Sequence, residues 1–211
     1  MKIIFSDIPM KKELHAFRYN TDAGNETVYE EEVIFPVSAY LAKTLKKGEK
    51  VRVVLLGKED PEGNSLVNAE VFRKECDSIN QKIGADIEYI TLMTPFVETR
   101  EIHEGLLRDM IGQLVPDAEL IGDITYGPKS LPIILFCLFN FAEKYFHAQI
   151  KSIVYGKVNF VDDGSGTGKT KPINPVLYDL TSLYYLNSLT NVMDYNSPEE
   201  ALTALDILLS M

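Results

Sequence analysis

Cysteine is scarce in this chain, and its scarcity removes whole classes of structure. Only Cys76 and Cys137 are present. They have neither the number of a disulfide scaffold nor the spacing of a metal site. Both lie in apolar stretches of helical spacing and are expected to be buried free thiols in a reducing cytoplasm. Histidine is almost as sparse. His15, His103 and His147 are scattered, with no cysteine or carboxylate at metal-ligand spacing, and each reads as a surface or helix residue rather than a catalyst. Neither a metal nor a cofactor is expected. Basic residues are outnumbered, 21 Lys and Arg against 31 Asp and Glu, a formal net charge of −10. A general nucleic-acid binder would be basic, so direct DNA binding is not expected. An anionic ligand would need a local positive pocket on this acidic background.

Long hydrophobic runs are missing too. The most apolar window, Leu131 to Phe141, is far below the roughly 20 residues that span a bilayer. The run Met1 to Phe5 is too short for a signal peptide, and Asp7 follows at once. A cytoplasmic protein without membrane contact is expected. No Gly-x-Ser-x-Gly nucleophile turn is present, and no Gly-x-Gly-x-x-Gly follows the first strand, which disfavours hydride-transfer chemistry.

What is there is an alternation of strands and helices. Strands are expected over Lys2–Phe5, Val51–Leu56, Ile87–Leu92, Leu120–Ile124 and Ile150–Tyr155. Helices are expected over Pro36–Lys47, Leu66–Ile83, Glu98–Val115 and Pro128–Phe146. The strands are β-branched and continuously apolar, as in strands buried on both faces. The expected fold is therefore α/β: a doubly wound, mainly parallel sheet with helices on both faces. Between the first strand and first helix, residues 11–33 read as an inserted β-hairpin turning at Asn20–Asn25, with Glu30, Glu31 and Glu32 on a solvated edge. One domain is expected over 1–176, with a flexible loop at about 162–174. Residues 177–211 read as a helical linker, its first helix over Tyr178–Asn191 and a second opening at Ser197-Pro198-Glu199-Glu200.

Ligands of such sheets bind off the carboxyl ends of the strands. That edge comprises Ser6 to Pro9, Gly57-Lys58, Thr94-Pro95, Thr125 to Ser130 and Tyr155-Gly156. Its richest stretch is Asp123-Ile124-Thr125-Tyr126-Gly127-Pro128-Lys129-Ser130, a strand-to-helix turn. Gly127 permits a tight backbone there and Pro128 presets the first helical turn. Free amides at a positive helix end suit a phosphate, with Lys129 as counter-charge and Thr125 as hydroxyl partner. Tyr126 could stack on a base or hydrogen-bond a ribose, and Asp123 supports the turn. The candidate ligand-binding residues are Ser6, Thr94, Thr125, Tyr126, Gly127, Pro128, Lys129 and Ser130, with no catalytic residue assigned. A second glycine-rich stretch, Asp163 to Thr170, mimics a phosphate loop, but Asp163 stands where the first glycine belongs. The following Lys171-Pro172-Ile173-Asn174-Pro175 does not support the required helix. Glu98, Glu101 and Glu104 could hold a metal, but a solvated helix start accounts for them.

The stretch Asp123 to Pro132, followed by an apolar helix and a strand ending Val154-Tyr155-Gly156, resembles the CRISPR-associated Rossmann-fold (CARF) domains of type III CRISPR ancillary proteins. The resemblance is specific over roughly Glu119 to Tyr185 and topological before that. Many relatives read Asp-x-Thr-His-Gly at the turn, where this chain has Tyr126. The resemblance implies a Rossmann-like homodimer that senses cyclic tetra- or hexa-adenylate in antiviral defence and activates a C-terminal effector. It leaves open a second role, cleavage of the ring without metal. A reading independent of the family is nucleotide binding by the Gly164–Thr170 loop.

Overall fold

Ile3, Ile4 and Phe5 are fully buried, as an apolar strand covered on both faces must be. They form β1 (Lys2–Asp7), the centre of the sheet. A computed structural model describes residues 1–22, 26–162, 164, 169–195 and 197–209 of the chain. It forms two compact units, Met1–Thr181 and Ser182–Met211.

In the first unit, β1 pairs in parallel with β3 (Lys50–Glu59) on one side and β5 (Glu119–Asp123) on the other. Parallel pairing continues outward to β4 (Asp86–Pro95) and to β6 (Gln149–Asp162). With β7 (Thr170–Asp179) and the short β2 (Asn20–Thr21), the order is β2-β7-β6-β5-β1-β3-β4. Helices α1 (Pro36–Thr44) and α2 (Asn64–Ile83) cover one face, and α3 (Arg100–Ile111) and α4 (Leu131–Phe146) the other. Phe35 and Phe72, both fully buried, meet edge-on at 4.9 Å on the first face. On the second, Leu135, Leu138 and Phe139 are buried, and Gly122 leaves room for the Phe139 ring. The fold is the expected Rossmann-like, doubly wound sheet.

The chain runs β1–β3–β4 toward one edge, then returns to β5 and proceeds to β6. Neighbouring strands β1 and β5 therefore send their connections in opposite directions. A crevice opens at their carboxyl ends, the place where such sheets take ligands.

Several boundaries differ from expectation. Strand β6 runs to Asp162, well past Tyr155, and pairs antiparallel with β7 through Asp162↔Thr170. Residues 170–174, expected in a flexible loop, are strand. Their ribbon is solvated on both faces, so no apolar alternation marks it, and an outer strand tolerates Pro172 and Pro175. Residues 163 and 165–168 of that loop lie outside the described residues. The domain boundary expected at 176 falls inside β7. Tyr178 belongs to that strand, where it pairs with Tyr155, and α5 starts at Thr181 (Thr181–Val192). In the second unit α6 (Pro198–Leu209) opens as expected, the Glu200 amide donating to Ser197 Oγ at 3.2 Å.

The insertion after β1 makes antiparallel bridges Phe17↔Val33 and Asn20↔Thr27, while β2 docks beside β7. Its tip, 23–25, lies outside the described residues. The returning arm is pinned to α2, with the Ile34 and Phe35 amides donating to Glu75 at 2.6 and 3.1 Å. No described helix is long and apolar enough to cross a membrane.

The two cysteines part company. Cys76 is buried, and burial pushes its thiol up to about 12, whereas Cys137 is exposed on α4. The expectation that both are buried fails because Cys137 lies on the outer face of that helix. One thiol should react with a disulfide reagent in the native protein, and the second only on unfolding.

Candidate functional site

Asp123, fully buried at the end of β5, ties the turn to the neighbouring strand. Its Oδ2 accepts from Ser6 Oγ at 2.8 Å and its Oδ1 accepts from the Thr125 amide at 3.0 Å. Burial raises its pKa against the hydrogen bonds from Thr125 and Ser6. Asp123 thus supports the turn. Ser6, expected as a ligand contact, is fully buried with its hydroxyl donating to Asp123. Thr94 is likewise buried, its hydroxyl donating to the Gly57 carbonyl at 3.4 Å.

The rest of the turn is arranged unequally. Thr125 Oγ1 accepts from the Gly156 amide at 2.9 Å. The Tyr126 hydroxyl donates to the Ile34 carbonyl at 3.2 Å, and its ring stands edge-on to Phe35 at 6.3 Å. Tyr126 is therefore anchored to the α1 side and offers a ring face, not a free hydroxyl. Gly127 and Pro128 line a cleft. Helix α4 starts at Leu131, three residues later than expected, because the 128–130 segment makes a separate turn closed by the Leu131 amide on the Pro128 carbonyl. Among the described residues, the amides of Tyr126, Gly127, Lys129 and Ser130 meet no intrachain acceptor. Lys129 is exposed and lines neither of the cavities beside the turn.

The cation that does line the cleft is Lys58, at the end of β3 and only 6% exposed. Its Nζ is 2.9 Å from Glu98 Oε1. Ser130 Oγ also donates to Glu98, and His103 Nε2 lies 2.9 Å from its Oε2. The Ser130 hydroxyl first, then His103 and Lys58, hold the Glu98 carboxylate down to about 2. Glu98 lies just before the α3 N-cap Thr99 with its side chain 44% exposed, yet it is held by Lys58, Ser130 and His103. His103 has a carboxylate partner after all. Among the described residues, no group of three or more His, Cys, Asp or Glu side chains is arranged for a metal ion.

Asp7, the last residue of β1, is the least expected member. It is 3% exposed, and its Oδ2 has no hydrogen-bond partner. Gly127 lies over it with φ +89°, and a Cβ on Gly127 would fall 1.7 Å from that oxygen. Burial, then the charge of Asp123, pushes the Asp7 carboxyl up to about 8, outweighing the Ile8 amide and Lys58. At neutral pH it is mostly protonated.

The cleft over these groups has a volume of about 490 Å³. Its walls are largely apolar, with Ile8, Pro9, Met10 and Phe96 beside Gly127 and Pro128. Phe96 is 59% exposed at the rim. An apolar cleft with a few converging polar groups at a switch point is the usual form of a small-molecule site. The composition is right for a flat base and its phosphate.

Lys58 and Asp7 were visible in sequence as polar residues ending apolar strands. Glu98 and His103 carried no such sign, since their partners lie far along the chain. The Asp163–Thr170 stretch leads into strand β7 instead of a helix, so it lacks the helix that a phosphate loop opens. No family model matches the chain, and no curated protein matches it.

Proposed function

We propose that this chain is a sensor module that binds a cyclic oligoadenylate at the switch-point cleft, as the CARF domains that its turn resembles do. The observation that carries this reading is the convergence at one crevice of Tyr126 and Gly127, whose amides meet no intrachain acceptor among the described residues, with the buried Lys58 and an apolar wall ending in Phe96. Amides and Lys58 suit phosphate, and the wall suits adenine. Glu98 takes the place of a phosphate in the free protein, accepting from Lys58 and Ser130. A ligand phosphate would displace it.

A homodimer fits the same reading. Helix α4 exposes Ile133, Cys137, Phe141 and Tyr145 at four-residue spacing, a stripe that a second copy would cover. Ser130 at the start of that helix lies beside the cleft, so pairing α4 with its mate would bring two clefts together and use each side chain twice. The second unit, where α6 exposes Leu202 and Ile207, is where an effector would attach. A cytoplasmic role in type III CRISPR antiviral defence follows from the ligand.

Asp7 favours a second reading, a metal-independent ring nuclease. In that reaction a ribose 2′-hydroxyl attacks the adjacent phosphorus, the bond to the 5′-oxygen breaks, and a 2′,3′-cyclic phosphate remains. The 2′-hydroxyl gives its proton to solvent water, and the departing 5′-oxygen takes one, which a carboxyl at Asp7 still protonated near neutrality can supply and later regain from solvent.

Calorimetric titration with cyclic tetra- and hexa-adenylate without metal, followed by chromatography of the ligand, tests both readings. Binding at one ring per two chains with the ring returned intact is the expected result. Linear products would establish cleavage, and absence of binding to either ring would remove the sensor reading. Lys58→Met should weaken binding by roughly tenfold or more, since a hydrogen bond to a charged group contributes about 1.5–3 kcal/mol. Glu98→Gln should tighten it by removing the competing carboxylate. Lys129→Ala should weaken it less than Lys58→Met, because Lys129 is solvated.

A further inference from the structure

A second cavity, of about 250 Å³, opens on the other side of Tyr126. One wall is the insertion, with Lys11, His15 and Phe17, and the other is the β6 ribbon, with Lys157 and Phe160. Lys11 and Tyr126 line this cavity and also the cleft over Asp7. The two cavities therefore adjoin at Lys11 and Tyr126, and the second is called the second lobe.

The second lobe has its own chemistry. Lys11, His15 and Lys157 line it against a single carboxylate, Glu13, in a chain whose net charge is −10. Its aromatic wall is continuous. The rings of His15 and Phe17 are 6.5 Å apart, and Phe17 meets Phe160 edge-on at 6.3 Å. Phe160 is 54% exposed on the outer ribbon, two residues beyond Val158 and three beyond Lys157. An aromatic left half in water beside basic groups is the arrangement that single-stranded nucleic acids meet on their binding surfaces: base on ring, phosphate on cation.

From this we infer that the second lobe is a nucleotide subsite, taking a further base against Phe17 and Phe160 and its phosphate on Lys157 and Lys11. The inference rests on the cleft reading in one respect, that the ligand is an oligoadenylate continuing past Tyr126. Each chain then contacts at least two successive nucleotides, and the insertion, not the Rossmann core, measures the length of the ligand.

Phe160 and Lys157 are exposed, so replacing them leaves the core intact. Phe160→Ala should weaken binding of the preferred ring by roughly tenfold, the size of one base–ring stack. Lys157→Ala should weaken it too and flatten its dependence on salt. If Lys58→Met weakens binding while Phe160→Ala and Lys157→Ala leave it unchanged, the cleft reading stands and the second lobe is overturned. If the wild-type protein binds neither ring, the cleft reading fails, and photolabelling with 8-azido-adenosine monophosphate decides the second lobe by itself. Saturable labelling of peptides containing residues 11–17 or 155–160 supports it. Labelling confined to other peptides, or no saturable labelling, overturns it.

Discussion

Replacing Gly127 by alanine is expected to destabilise the protein by about 2–5 kcal/mol and to abolish ligand binding. Two costs add. At φ +89° an L-residue is strained, by about 1–2 kcal/mol in the left-handed region. The new methyl would also fall 1.7 Å from Asp7 Oδ2, an atom enclosed in the interior, and overpacking of that kind costs a further ~1–3 kcal/mol. The turn must then lift off the end of β1, carrying Tyr126 and Gly127 away from the cleft that they line. Urea denaturation measures the loss. A second substitution separates the two costs: Asp7→Ala in the Gly127→Ala background should restore the packing part and leave the backbone part. If Gly127→Ala unfolded at the wild-type urea midpoint, the close approach of Gly127 to Asp7 would be wrong.

The second large effect is on pH dependence. Asp7 titrates at about 8 in the folded protein against an ordinary value of 3.8. Between those values the folded state holds a proton that the unfolded chain has released, so stability is greatest below about 4 as far as this group is concerned. It falls as pH rises, by up to about 1.4 kcal/mol for each pH unit, until the carboxyl ionises near 8. Asp123 acts in the same direction, its pKa also being raised by burial. Glu98 acts oppositely, but its contribution is lost only as pH falls from 4.5 toward 2, outside the window of interest. The wild-type protein should therefore be clearly more stable at pH 5.5 than at pH 8.5. Asp7→Asn should remove most of that difference, because an amide of the same shape does not ionise. Equal slopes in the wild-type and Asp7→Asn proteins would show that Asp7 is hydrated and titrates normally.

Both effects come from a place where two strands end side by side, and this explains which parts of the site were legible in sequence. The alternation of apolar strands and amphipathic helices carried the fold class and its mainly parallel sheet, since each buried strand announces itself by composition, but not the order of the strands. The turn at Asp123–Ser130 was legible for the same reason, being polar residues between two apolar runs. The β6–β7 ribbon was not. Beyond Tyr155 its residues face solvent on both sides, and Tyr178, which pairs across the ribbon with Tyr155, shares an aromatic pattern with the helix that follows. The roles within the site were also partly hidden. Ser6 and Thr94 lie on the correct edge but point their hydroxyls at Asp123 and Gly57, a matter of side-chain direction. Lys58 meets Glu98, and Glu98 meets Ser130, across long stretches of chain. Such pairings are decided by the crossing of β3, α3 and α4 at one corner, and no local spacing reports them.

Hydrogen exchange of the whole chain, followed by mass spectrometry with and without saturating cyclic tetra- or hexa-adenylate, tests the cleft most directly. The amides of Tyr126, Gly127, Lys129 and Ser130 have no acceptor within the described chain, so they should exchange quickly in the free protein. They should slow on addition of the ring, together with the Ile8–Lys11 segment that lines the same cleft. A ring that binds yet leaves 126–130 as fast as before, and protects residues elsewhere, would contradict the assignment of the switch-point cleft.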